Sequence, residues 1–147
     1  MGHIQYWEDK IKIRPMRKDE LIEVTKLIHS IFPESNAETR IEKDDKVLIA
    51  VTDGRFVGFI HFSGHIGTSG SISIKAVGVI TEFRSTGVGS ALIKALSAKY
   101  GKPGKPIYLK VSQGNESALA LYEKEGFMIK KHSKSGEFFF LAKMPEN

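Results

Sequence analysis

The chain contains no cysteine among its 147 residues. That absence excludes disulfides, thiolate metal centres and a thiol nucleophile. No apolar run approaches the ~18 residues that a membrane-spanning helix requires. The opening stretch "MGHIQYWEDKIKIR" has mixed charge and no apolar core, so it lacks the pattern of a secretory signal. These absences favour a cytoplasmic protein with no membrane partner. Repeats, low-complexity tracts and dividing linkers are missing too. With 41% hydrophobic residues, the chain is long enough for one domain with a proper core and too short for two, so the expected domain is 1–147.

The formal charge is +5. Its basic residues are spread along the chain, with the densest cluster at Lys130, Lys131, His132 and Lys134. No RNA-binding motif or zinc-finger spacing accompanies them, so no specific nucleic-acid partner is expected. The cluster reads as a solvated edge, or as a reach toward a polyanionic ligand. "EFFFLAKM" resembles a stacking platform for bases only superficially. Strand alternation would bury Phe139 and Leu141 on one side and send Phe138 and Phe140 to the other, as in a sheet covered on both faces. An exposed Phe138 or Phe140 would instead indicate a dimer contact.

"KIKIRPM" alternates apolar and polar residues and predicts a first strand near Ile11 to Arg14. Asp19 is placed to cap a helix whose Leu21, Val24, Leu27, Ile28 and Ile31 recur at helical spacing, and Pro33 stops it. The polar segment Glu34 to Lys46 has room for a short second helix. In "VLIAVTDGRFVGFIHF", two β-rich runs flank Asp53-Gly54, the signature of a tight hairpin. A strand at Ile72 to Ile80 leads to a glycine pair and a helix ending near Tyr100. "IYLKV" is a strand. Asn115 caps a helix running to about Glu125, which Gly126 ends. A hairpin around Ser135-Gly136 closes the chain. The order is that of one mixed α/β domain.

The glycine pair lies in "EFRSTGVGSALIKAL". Behind it, Val88, Leu92, Ala95 and Leu96 form a stripe that can pack on a sheet. The first turn of such a helix exposes amides with no partner inside the helix, at the positive end of its dipole. Those donors attract phosphate, and glycines at Gly87 and Gly89 would let a pyrophosphate approach the backbone. Arg84 would add a charge-assisted contact. The same glycines would equally serve a tight strand-to-helix turn. The Walker lysine is missing, and no third glycine completes a GxGxxG.

"RSTGVG", Arg84 to Gly89, resembles the R/Q-x-x-G-x-G/A signature of the GNAT superfamily, the acyl-CoA-dependent N-acetyltransferases. "NESALALYEKEGF", Asn115 to Phe127, resembles that family's second segment, N-x-x-A-x-x-L-Y-x-x-x-G-F. The resemblance implies an α/β fold with a mixed sheet of about seven strands flanked by about four helices, splayed between strands 4 and 5. It implies acetyl-CoA as cosubstrate, with no metal. Main-chain groups of Val77, Gly78 and Val79 would pair with the pantetheine arm. Amides of Ser85, Thr86, Gly87, Val88, Gly89 and Ser90 would hold the pyrophosphate, and Asn115 would touch the cofactor arm. Homodimers are frequent in the family.

The implied reaction is direct attack of a primary amine on the thioester. The Val79 N–H would stabilise the developing oxyanion, and Tyr122 would protonate the departing CoA thiolate. A non-catalytic acyl-CoA sensor is the alternative. At pH 7 a lysine amine costs about 4–5 kcal/mol to deprotonate, an α-amine about 1. A related branch, which acetylates the N-terminal alanine of a ribosomal protein, carries a glutamate on the fifth strand. Lys110 stands at that position, and an ammonium of ordinary pKa is no base at pH 7. If it faces the acceptor groove, it disfavours a cationic acceptor. Glu82, His29, His61 and His65 are other titratable candidates. None carries a pattern that marks it as the base.

Overall fold

The computed structural model describes residues 11–33, 40–64 and 70–145. The described residues form seven strands: β1 (Lys12–Pro15), β2 (Asp45–Thr52), β3 (Arg55–Gly64), β4 (Ile72–Val79), β5 (Ile107–Ser112), β6 (Met128–His132) and β7 (Phe138–Lys143). They form one sheet in the order β1-β2-β3-β4-β5-β7-β6. The described α-helices are α1 (Leu21–Ile31), α2 (Val88–Tyr100) and α3 (Glu116–Lys124). The expected short helix before β2 falls mostly on residues 34–39, outside the described residues. Positions 40–44 are not helical.

Local chemistry explains most boundaries. Asp53 and Gly54 adopt φ of 50° and 74°, the left-handed pair that a two-residue hairpin turn requires. Phe32 leaves the helical region, at φ −122° and ψ 77°, because the residue before a proline avoids it, so α1 ends there. Asp19 does not cap α1, contrary to expectation. It lies inside a 3-10 turn, Lys18–Glu20. Glu20 organises this entry instead, accepting the Arg17 amide at 2.8 Å and two guanidinium bonds from Arg14 at 2.9 and 2.7 Å.

The two faces of the sheet carry separate cores. Val88, Leu92, Ile93 and Leu96 of α2 pack with Ile60, Phe62, Ile107, Leu109 and Leu141 on one face. On the other, Val24, Leu27 and Ile28 of α1 pack with Val47, Ile49 and Phe59. This second core takes no residue from β5 or β7. Cover on both faces, expected over the final strand, therefore stops short. Phe138 and Phe140 are half-buried, and Tyr108 beside them on β5 is 45% exposed.

The one parallel pairing, β4 with β5, is also the shortest in the middle of the sheet. It joins Ile72, Ser73 and Ile74 to Ile107, Tyr108 and Leu109 and then stops. Beyond it, Ala76 to Val79 pair only with β3, and Lys110 to Ser112 only with β7. Two strands that start together thus part company halfway along.

Gly78 lets α1 sit close to this point. A Cβ there would lie 2.6 Å from the Phe59 ring and 3.1 Å from both Ile31 and Phe32. Overpacking of this kind costs about 1–3 kcal/mol. Gly78→Ala should lower the urea midpoint correspondingly; an unchanged midpoint would refute this packing.

Candidate active site

Where β4 leaves β5, its backbone becomes an unpaired edge. The Ile80 amide donates to the Val57 carbonyl of β3 at 2.9 Å. Polar groups alternate along a strand, so Gly78 also faces β3, while Val77 and Val79 turn theirs toward the gap. Of the three residues expected to pair with a pantetheine arm, Val77 presents a free main-chain edge, Val79 presents only its amide because its carbonyl accepts from Arg84, and Gly78 faces β3. Arg84 Nε bonds the Val79 carbonyl at 3.2 Å from the same side.

The segment after β4 supplies the second feature. Ser85 (φ 63°) and Gly87 (φ 94°) are left-handed, and between them the Thr86 hydroxyl donates to the Phe83 carbonyl. These turns aim successive amides outward before α2 begins. The first bond into the helix is Ala91 to the Gly87 carbonyl at 2.9 Å. Every amide from Ser85 through Ser90 is without a protein acceptor among the described residues. The first turn of α2 holds no acidic residue to neutralise its dipole. A row of unsatisfied donors at a helix N-terminus is a ready anion site. An anionic diphosphate fits it.

The two glycines have different jobs. Gly87 needs its left-handed conformation, and a Cβ there would meet nothing within 4 Å. Gly89 does not face that open space: a Cβ would lie 3.1 Å from Leu121. Its small size seats α2 against α3, and only its amide faces the turn. Val88 and Ser90 are buried.

From α3 come the remaining expected residues. Asn115 caps the helix, its side-chain oxygen accepting from the Ala118 amide at 3.2 Å and the Ser117 hydroxyl at 3.3 Å. Only its amide nitrogen remains for a ligand. Tyr122 is 7% exposed, with its ring edge-on to Phe127 at 5.7 Å. Burial pushes its phenol up to about 12, so it stays protonated across the physiological range. Among the described residues the hydroxyl has no hydrogen-bond partner, and it is not among the side-chain atoms sealed from solvent. It is a donor in waiting.

Two of the other titratable candidates, Glu82 and His61, are engaged. Glu82 pairs with Arg55 at 2.9 Å on the surface. His29 is exposed in the last turn of α1, and His65 lies outside the described residues. His61 is fully buried, and its Nε2 lies 2.7 Å from Asp45, which also holds Lys75 at 2.9 Å. Sequence reading missed Asp45, because only the β2–β3 pairing brings it beside His61. Lys110 lies on the α1 face of β5, immediately past the last rung joining β4 and β5. Among the described residues, no group of three or more His, Asp or Glu side chains is arranged to hold a metal ion. No helix among them is long and apolar enough to cross a membrane.

A sheet that splits at β4 and β5, with a donor-lined helix start beside the split, defines an acyl-CoA-dependent acyltransferase architecture. The sequence profile of the Acetyltransferase (GNAT) family matches residues 11–127, and the chain belongs to that family. An acetyltransferase of Pectobacterium atrosepticum is 35% identical over 94 residues, 63% of this chain and 64% of that protein. The match thus spans less than two thirds of that relative. The ribosomal-protein alanine N-acetyltransferase of Escherichia coli superposes with a TM-score of 0.75 at 16% identity, covering 93% of this chain and 95% of that one. Naa50 of Arabidopsis thaliana, solved with a bisubstrate analogue, gives 0.73 at 22% identity, covering 91% and 98%.

The His61 site makes a prediction about stability. Burial, only partly offset by the bond to Asp45, holds His61 below the usual imidazole value. Asp45 is also held low: burial raises it, but the Glu42 amide, Lys75 and His61 outweigh that. The folded state therefore prefers a neutral ring. Stability is full above the unfolded value, about 6.5, and is lost as pH falls from there through the folded value. The melting temperature should drop between pH 7 and pH 5, and His61→Gln should flatten that slope. Equal slopes in both proteins would contradict the assignment.

Proposed function

We propose that this chain is an acetyl-CoA-dependent N-acetyltransferase that acylates a primary amine. The observation that carries this reading is the unbroken run of acceptorless amides from Ser85 to Ser90, set beside the unpaired β4 edge at Val77 and Val79. The amides bind the diphosphate. Val77 continues the interrupted ladder with the amide-bearing arm, replacing the rungs that β5 does not make. Acetyl-CoA supplies the thioester; the protein supplies position and donors. Val79 N–H is aimed into the gap, where negative charge develops on the carbonyl oxygen. Fixed donors of this kind contribute about 2.7–4 kcal/mol when removed singly.

Tyr122 acts on the leaving sulfur. A phenol near 12 is a weaker acid than a thiol near ~8.5, so complete transfer would cost about 5 kcal/mol. Its contribution is a hydrogen bond that strengthens as thiolate charge builds, with the proton following later. The incoming amine loses its proton to water. For an α-amine that costs about 1 kcal/mol at pH 7, which suits a site whose Glu82 and His61 are both engaged.

Acetyl-CoA should raise the melting temperature, and a mixed panel of amines should release CoA above the rate of hydrolysis. Stabilisation without release for any amine would leave the sensor reading instead. Tyr122→Phe should reduce kcat by roughly tenfold to a thousandfold with little change in acetyl-CoA affinity. Unaltered kcat would remove Tyr122 from the chemistry. Ser85→Asp, whose side chain tolerates the left-handed backbone, should raise the acetyl-CoA Kd at least tenfold by placing a carboxylate among the amides. An unaltered Kd would move the diphosphate elsewhere.

A further inference from the structure

Strand β4 changes phase halfway along. Before the change its even-numbered residues face β5: Ile72 and Ile74 share rungs with Ile107 and Leu109, and the Ile72 amide points to the Pro106 carbonyl at 3.4 Å. After it they face β3, for the Ile80 amide donates to Val57. Side chains switch with the backbone. Ile72 and Ile74 lie in the α2 core and Val77 and Val79 pack on it, while Ala76 packs on the α1 core. One extra residue accounts for both changes. Phe62 of β3 pairs with Ile74 and His61 with Ala76, so Lys75 is the bulged residue between them.

The consequence reaches the gap. Under regular alternation Ala76, Gly78 and Ile80 would turn their main-chain groups away from β3. The bulge gives that orientation to Val77 and Val79 instead. It falls immediately after the last rung that β4 shares with β5. A further rung would set Lys75 beside Lys110, and like charges directly opposite disfavour pairing.

Side chains on the α1 face fix the bulge. Asp45, on the rung of Ser63, is the hub. Its Oδ2 accepts from the Glu42 amide at 2.8 Å, from His61 Nε2 at 2.7 Å and from Lys75 Nζ at 2.9 Å. A carboxylate only accepts, so Nε2 carries the ring proton. Because Ala76 takes the place opposite His61, Lys75 is shifted along β4 toward the rung that carries Asp45. Slipping the bulge out would return Lys75 to the place opposite His61 and draw it away from that carboxylate. The Asp45 side chain is 3% exposed, so water screens the bond little. His61 Nδ1 is buried without a partner among the described residues. An orphaned atom in a buried charge cluster adds little stability, and what the cluster supplies is position.

We propose that Lys75, held by the Asp45 carboxylate beside His61, is a positioning residue for the cofactor: the tie fixes the bulge, and the bulge turns the Val77 edge and the Val79 amide into the gap. This rests on the acetyltransferase reading above, in which those groups receive the arm and the carbonyl oxygen of acetyl-CoA. The three side chains act through the backbone of β4.

Calorimetric titration of the full chain with acetyl-CoA and, separately, with its nucleotide half, 3′-phospho-ADP, tests the tie. The nucleotide half reaches the amide row of Ser85 to Ser90 but not the β4 edge. Lys75→Met keeps the stem and removes the charge. It should raise the acetyl-CoA Kd roughly tenfold, the effect of one or two lost main-chain hydrogen bonds, and leave that of the nucleotide half within about twofold. Asp45→Asn should do the same. Lys75→Arg should stay near wild type, because a guanidinium still pairs with the carboxylate. An unaltered acetyl-CoA Kd in Lys75→Met, or equal weakening of both ligands, would overturn the proposal. Amide hydrogen exchange reads the tie without any ligand. In the wild type the Gly78 and Ile80 amides should exchange slowly and those of Val77 and Val79 quickly, and Lys75→Met should erase that contrast. A contrast kept in the variant overturns the proposal. If acetyl-CoA fails to bind the wild-type chain, the acetyltransferase reading falls, and the exchange pattern alone decides the tie.

Discussion

An unmade ladder in the middle of the sheet is the constraint on which the molecule turns. Main-chain groups removed from water are normally paired, and an unpaired buried one costs about 1–3 kcal/mol. Here β4 and β5 stop pairing after Ile74 and Leu109, leaving the Val77 edge and the Val79 amide exposed to the gap. The sheet tolerates this because each strand keeps its other neighbour: β3 holds β4, and β7 holds β5 along its whole length. The two cores divide in the same way. α2 spans the split on one face, while α1 serves only the β2–β4 half on the other. The gap is the default outcome of how those halves are anchored, and a guest backbone can complete it.

The same logic of deferred partners governs the turn into α2. Left-handed Ser85 and Gly87 hold the segment in a form whose amides find no acceptor of the protein's own. Arg84 is drawn onto the Val79 carbonyl, which links the turn to the free edge of β4. Tyr122 repeats the pattern from α3. Its ring packs edge-on against Phe127, and its hydroxyl has no partner among the described residues. Fold stability and ligand readiness sit on different atoms of one residue.

Electrostatics separates the two ends of the sheet's α1 face. Toward β2 and β3, His61, Asp45 and Lys75 form a closed polar cluster whose charges compensate one another. Toward β5 and β6, the ammonium groups of Lys110 and Lys131 lie over the rings of Phe138 and Phe140. The first arrangement fastens strands together.

Local patterns in the chain were enough for the elements and the family. Hairpin residues Asp53-Gly54, the glycine turn, the Asn115 cap and the order of the seven strands and three described α-helices are set by short-range sterics, and these appear where the sequence puts them; the short helix expected within Glu34 to Lys46 falls mostly outside the described residues. The cap of α1 was misread: Asp19 lies inside a 3-10 turn, and the Glu20 carboxylate turns back to the Arg17 amide and to Arg14, which β1 places beside it. Long-range packing decided the rest. A sequence cannot tell that the Cβ position of Gly89 faces Leu121 while that of Gly87 faces open space, nor that His61 meets Asp45 across a strand pair. Nor can it place Lys110 and Lys131 on one rung with Phe140 between them. These depend on strand register, in which a slip of one residue reverses every side chain, and register is settled only when the whole sheet closes on its cores.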